Sequence, residues 1–378
     1  MRFTTNTNDF SVALGSVAHF LPSRAVVPAL SCVLLEADAG SLILCGTDRD
    51  NIIRVVVPAL VDREGTAAVP ARYLADVLHR FSAGTVQWDL DPEHPHAILT
   101  WKRTRVTVQG MPPAEYPLVP QRPEKVEYTY PQRVLRRAIQ TTAFAAAAPD
   151  AARLLLTGIE LRFSADHIQA LTTDGFHAAV FASNPAAAPG ESSIVVPAPA
   201  LAEAARLLAD SDDPVDVSLD ASHLWVGTAG VQLGLRLLEG KYFAILDLVP
   251  KTFATTVSVS RAVFIGACAR VGVVTEAHPP HAVTAEIGRG GVRLHATFPS
   301  VGSAEEEIDA RVDGEYAVVA FNAQAMLAAL SRFQGENLRW EISGSNTMAR
   351  VSAPDDRAVV YMHMPLEITN AAVGVAKE

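Results

Sequence analysis

Eleven histidines and a run of three glutamates are where chemistry would first be sought in this 378-residue chain. His94-Pro-His96 and His278-Pro-Pro-His281 each set two imidazoles close together, and neutral ring nitrogens are common metal ligands. Neither pair has a helix-spaced partner or a carboxylate placed to orient a ring, so both read as surface histidines in turns. Glu305-Glu-Glu307 reads as a solvated edge ahead of a metal site. Thr173-Asp-Gly is not the Asp-Thr-Gly of aspartic proteases. Gly288-Arg-Gly-Gly291 lacks the strand-to-helix context of a phosphate loop and reads as a hairpin turn. The expectation is a non-catalytic protein with no metal and no cofactor.

Bulk properties narrow the class further. A chain of this length splits into two or three domains, and the apolar half of its residues fills several cores. No run approaches a membrane span, and Met1-Arg-Phe-Thr-Thr-Asn lacks the basic and hydrophobic sections of a signal peptide. Cys32, Cys45 and Cys268 stand scattered in apolar surroundings, which points to a reducing, cytoplasmic setting. The net charge of −10 argues, as a total, against nucleic acid.

The elements that would position any site follow from a repeat. Thr172–Thr173–Asp174–Gly175–Phe176–His177 closes the apolar run Ile168–Leu171 and opens Ala178–Phe181, as a strand, a tight turn and a strand. Gly175 supplies positive φ there, and Asp174 bonds the local backbone. Cys45-Gly-Thr-Asp48 and Leu294-His-Ala-Thr297 echo this corner, about 125 residues to either side. Each unit opens on an amphipathic helix with paired apolar residues: Phe10 and Leu14, Leu135 and Ile139, Phe264 and Cys268. A second helix follows Val69-Pro-Ala, Val196-Pro-Ala and Phe321-Asn-Ala in turn. Pro-bearing segments join the units. This gives domains at 1–122, 123–250 and 251–368, with a loose tail at 369–378.

A threefold repeat of two helices and about eight strands resembles the bacterial DNA sliding clamps, the β subunits of replicative DNA polymerase. The markers are Arg24 with Pro28, Gly46-Thr-Asp, Val69-Pro-Ala-Arg72, Pro113-Ala-Glu-Tyr-Pro117, Thr173-Asp-Gly, Val196-Pro, Phe321-Asn and Tyr361-Met-His-Met-Pro365. The resemblance implies an α+β fold of three clamp domains, each two helices packed on antiparallel sheets. Two chains would meet head to tail in a ring of six domains around duplex DNA. Polymerase, clamp loader and repair proteins would dock on its rim. The implied seam residues are Val106 and Val108 on one edge and Val273 and Val274 on the other. Localisation would be cytoplasmic, at the nucleoid.

Charge distribution agrees with that expectation better than the total does. The helices expected at 8–20, 71–81, 131–142, 198–209, 260–271 and 322–333 hold nine arginines against three acids. A basic lining inside an acidic shell holds phosphates centrally without reading bases. The family's DNA-touching positions match Arg24 and Arg72. Arg80, Arg133, Arg136, Arg137 and Arg206 join them as lining cations. The polar cluster expected near the start of the second domain reads Asp150-Ala-Ala-Arg153-Leu-Leu here, and an often basic pair is Ala198-Pro199, which thins the DNA contact.

Carried over from the family, the partner-peptide groove would be walled by Leu156, Thr173, Gly175, Phe176, His177, Ala178, Phe243, Leu248, Met362, His363, Met364, Pro365 and Leu366. Such grooves bind short peptides through a few buried leucine and phenylalanine anchors. Departures cluster at this one place. The family commonly has arginine at His177, leucine at Ala178, proline at Phe243, an apolar residue at His363 and arginine at Glu367. Phenylalanine adds a ring to the wall, while leucine to alanine removes volume worth about 2 kcal/mol of contact. Three readings stay open: an ordinary clamp, a variant whose altered groove resists a clamp-targeting inhibitor or serves altered partners, and a clamp-shaped scaffold never loaded on DNA.

Overall fold

The computed structural model describes residues 1–22, 27–38, 40–90, 96–187 and 192–367. Arg24, His94, Ile368 and the expected tail at 369–378 lie outside them. The described residues form helices α1 (Thr7–Phe20), α2 (Ala71–Leu78), α3 (Gln132–Thr142), α4 (Ala198–Leu207), α5 (Arg261–Gly272) and α6 (Ala323–Leu330). All six stand where periodicity and helix-start signals put them. Phe10, Leu14, Leu135, Ile139, Phe264 and Cys268, the residues that define the inner faces, are fully buried. Asn6 caps α1 by accepting from the N–H groups of Asn8 and Asp9, and Asn322 caps α6 through the N–H of Ala325.

Packing divides the chain into two compact units, Met1–Arg133 with Glu203–Leu237, and Val134–Ala202 with Leu238–Glu378. The first holds a 12-stranded antiparallel sheet that begins at the edge strand Thr104–Gln109 and ends at Tyr128–Pro131. Phe3 stacks on Trp88 at 6.0 Å and meets Phe10 edge to face, so α1 is locked onto this sheet by aromatic contact. The second unit holds a nine-stranded and a four-stranded sheet. Phe264 of α5, Phe321 and Trp340 form its aromatic core.

The expected boundaries near 122 and 250 separate strands that pair with each other. Val231–Arg236 lies against Ile52–Arg63, and His177–Ala182 lies against Asp356–His363. Backbone hydrogen bonding therefore groups these strands differently from the sequence repeat.

Two of the three echoed corners share one device in atomic detail, whereas Leu294–Thr297 runs within the strand Gly291–Phe298. In the first corner Thr47 Oγ1 donates to the Asn51 carbonyl, while Asp48 Oδ1 accepts from the N–H groups of Asp50 and Asn51. In the second, Thr173 Oγ1 donates to the His177 carbonyl, and Asp174 Oδ1 accepts from Phe176 and His177. One threonine–aspartate device shapes both turns, with Gly175 at φ +99° as the turn requires.

Candidate functional site

The site is built around that second corner. Strand His177–Ala182 pairs with Asp356–His363 in a register that sets Ala178 opposite Met362 and His177 opposite His363. Side chains alternate across a sheet, so these pairs face opposite ways. Ala178 and Met362 join Leu171, Val180, Val195, Tyr242, Ile245 and Met348 in one buried apolar cluster, with Leu155 and Met364 packed against it. Phe176, Phe243 and Leu248 stay exposed beside it, at 67, 37 and 65 %. Leucine- or phenylalanine-sized anchors would find their contacts in this combination of apolar floor and exposed rim.

Tyr242 ties the parts together. Its hydroxyl donates to the Gly158 carbonyl and accepts from the Thr173 N–H, both at 3.1 Å. Burial pushes this phenol up to about 12, so it works as a neutral donor and acceptor. Glycine at 158 lets the strands pack closely: a Cβ there would stand 2.7 Å from a Val195 methyl, 2.9 Å from a Leu238 methyl and 3.0 Å from the Val196 carbonyl oxygen, and the neighbours would have to shift. The segment Met364–Leu366 is pinned by two backbone bonds, Met364 N–H to the Phe176 carbonyl and Leu366 N–H to the Ala320 carbonyl, both 2.8 Å. Pro365 sits between them, half-buried.

Two expected wall residues face elsewhere. His363 is fully buried on the opposite face of the sheet, where its Nε2 accepts from Trp340 Nε1–H at 3.2 Å. His177 shares that face. It stacks on Tyr361 at 6.3 Å and contacts Asp174 Oδ2 through Nδ1 at 2.9 Å. Strand alternation is the reason: a residue next to a groove residue in sequence points away from the groove. Burial tends to raise the Asp174 carboxyl, but hydrogen bonds from the His177 ring and from two backbone N–H groups outweigh it and hold the group low. Leu156 is also buried, and the neighbouring Leu155 is the residue packed on the cluster. Leu155, Tyr242, Ile245 and Met348 escaped the sequence reading. Tyr242 and Ile245 lie in a stretch that reads as a linker, and Met348 carries no local signal.

Burial, with His177 beside it, pushes His363 down to about 3. The unfolded ring titrates near 6.5, so the neutral ring's contribution is complete above that pH and is lost as pH falls towards 3. Melting temperature should therefore drop between pH 6.5 and 4. His363→Gln, which keeps an acceptor for Trp340, should flatten the slope by up to about 1.4 kcal/mol per pH unit. Parallel thermal melts of the two proteins across that range check this.

The helix arginines differ in how they are held, from exposed, weakly paired side chains to one fixed in the fold. Arg133 pairs with Asp212 at 2.6 Å, Arg206 with Glu203 at 3.4 Å and Arg270 with Glu306 at 2.5 Å. Arg137 is held by Asp356 at 2.5 Å, a carboxylate only 4 % exposed, and so serves the fold. Arg72, Arg80 and Arg332 are exposed and make no ion pair among the described residues, while Arg136 is half-buried. Of the four seam valines, Val273 is 62 % exposed and Val106 half-buried, whereas Val108 and Val274 are buried within the chain.

Helix pairs packed on continuous antiparallel sheets, with a corner device repeated along the chain, define the sliding-clamp class of fold. The family models agree over almost the whole length. Residues 1–120, 129–243 and 247–367 match the N-terminal, central and C-terminal domains of the DNA polymerase III beta subunit. The beta sliding clamp of Staphylococcus aureus is 24% identical over 375 residues, covering 97% of this chain and 99% of that protein. A Pseudomonas aeruginosa sliding clamp bound to griselimycin superposes with a TM-score of 0.90 at 25% identity, over 97% of this chain and 100% of the other. The Bacillus subtilis clamp shares the fold at a TM-score of 0.91 and 21% identity, over 98% of this chain and 100% of the other. The chain belongs to the DNA polymerase III beta subunit family, the beta sliding clamps that act as processivity factors in DNA replication. No helix among the described residues is long and apolar enough to cross a membrane.

Proposed function

We propose that two copies of this chain close head to tail around duplex DNA, without catalysing any reaction, and tether polymerase and other partners through the cluster beside Thr173–His177. One observation carries the ring. The chain has two sheet edges of opposite charge. Thr104–Gln109 ends one sheet, with Lys102, Arg103 and Arg105 exposed along it. Gly302–Ile308 ends another, where Glu306 pairs with Arg270 while Glu305 and Glu307 both face Arg293, so three acids against two arginines leave this edge with an excess negative charge. Unpaired edges are templates for strand addition, and opposite charges favour pairing with a second copy over pairing like with like. Val106 and Val273 supply apolar contact on the two sides.

Arg72, Arg80 and Arg332, with Arg136 and the exposed, weakly paired Arg133 and Arg206, support sequence-independent attraction to phosphates, while Arg137 is held in the fold by Asp356. After loading, the protein should stay on closed circular DNA and leave it within seconds of linearisation. Retention that does not depend on DNA topology would mean a scaffold rather than a clamp.

The departures at Ala178, Phe243 and Glu367 support a second reading, a clamp whose groove is altered towards its ligands. A relative binds griselimycin, and a reshaped wall is one means of escaping such a ligand. Calorimetric titration with a standard clamp-binding peptide tests this, since full-strength binding would end it.

A further inference from the structure

We propose that a polar chamber adjoining the apolar cluster receives a carboxylate of the docked partner peptide; this rests on the groove reading above. The chamber has a volume of about 470 Å³. Glu160, Arg162, Ser193, Val195, Lys241 and Tyr242 form most of its wall. Val195 and Tyr242 also belong to the apolar cluster, so chamber and groove share a wall.

The strands fix the charges. Glu160 and Arg162 lie two apart on Gly158–Phe163 and so face the same way, and Ser193 sits directly across from Arg162 on Ser192–Pro197. Glu160 is buried, and both of its oxygens are engaged. Oε1 accepts from Ser193 Oγ at 2.7 Å and Oε2 from Arg162 Nη2 at 2.9 Å. Its charge is thereby spent on holding the guanidinium in place. Lys241 is exposed and makes no ion pair among the described residues. The wall thus presents one more cation than anion, and the unspent charge is positive.

The Tyr242 hydroxyl is committed to Gly158 and Thr173, so it offers the ligand only its ring. Cationic donors with no free carboxylate suit an acceptor-only group, and the charge-assisted bonds they form are the strong kind. On a peptide anchored in the groove next door, that group is an acidic side chain flanking the apolar anchors.

The test uses the full chain and labelled peptides sharing leucine and phenylalanine anchors, with Glu or Gln at each flanking position in turn, read by fluorescence anisotropy. At one flank the Glu peptide should bind about five-fold tighter at low salt, and the ratio should shrink as salt rises. Lys241→Gln, at an exposed position that leaves the Glu160–Arg162 pair intact, should bring the ratio towards one, and Arg162→Gln should do so as well. Equal binding of Glu and Gln peptides at both flanks overturns the chamber and leaves the groove standing. Failure of every peptide to bind overturns both.

Discussion

Val273→Asp should leave the protein a monomer of 40.3 kDa where the native chain sizes at about twice that mass. Val273 closes the C-terminal turn of α5 and is 62 % exposed, so within one chain the substitution meets water. In the head-to-tail ring proposed above it would meet the apolar side of a neighbour's edge strand, at Val106. An unpaired carboxylate buried there costs about 3 kcal/mol at each seam. A two-chain ring contains the seam twice, so the penalty is about 6 kcal/mol and dissociation strengthens by about four orders of magnitude. Light scattering at micromolar concentration reads the mass, and an unchanged melting curve of the dissociated chain would show that folding is intact. A variant that dissociates at the same concentration as the native chain across a dilution series would place the seam elsewhere.

Tyr242→Ala should weaken partner-peptide binding about 100-fold while the ring stays closed. Three losses combine: the buried ring that walls the apolar cluster, the partner of the Thr173 N–H, and the partner of the Gly158 carbonyl. Truncating a buried aromatic costs about 3–5 kcal/mol, part of it through backbone groups left unsatisfied. The damage falls on the turn at Thr173 and on Phe243, which packs edge to face on Tyr242 at 5.9 Å. Tyr242→Phe keeps the ring and loses only the hydroxyl, so its effect should be about ten-fold. Titration of a labelled peptide into each variant, with light scattering as the control for assembly, separates groove from seam. Equal affinity for all three proteins would show that peptides dock away from this cluster.

Much of the molecule was legible in the residue order because its signals are local. Helix faces follow from paired apolar residues such as Phe10 and Leu14, and helix starts from caps such as Asn322, which act within one turn. The corner at Thr173–His177 follows from a glycine that needs positive φ and an aspartate that bonds backbone two and three residues on. The repeat then assembled these pieces into the class of fold. The apolar character of the cluster was legible too, through Ala178 and Met362.

What the residue order left open depends on partners distant along the chain. Which of His177, Ala178, Met362 and His363 face the apolar cluster is set by the register between two strands about 180 residues apart, and a shift of one would exchange them all. Arg137 counts as a lining cation until Asp356, 219 positions away, neutralises it. Tyr242 becomes a keystone only because folding brings Gly158 and Thr173 to its hydroxyl. Composition and short-range pattern thus determined the elements and their repetition. Long-range strand pairing decided which side chains are available to a partner, because no local rule fixes register or ion-pair choice.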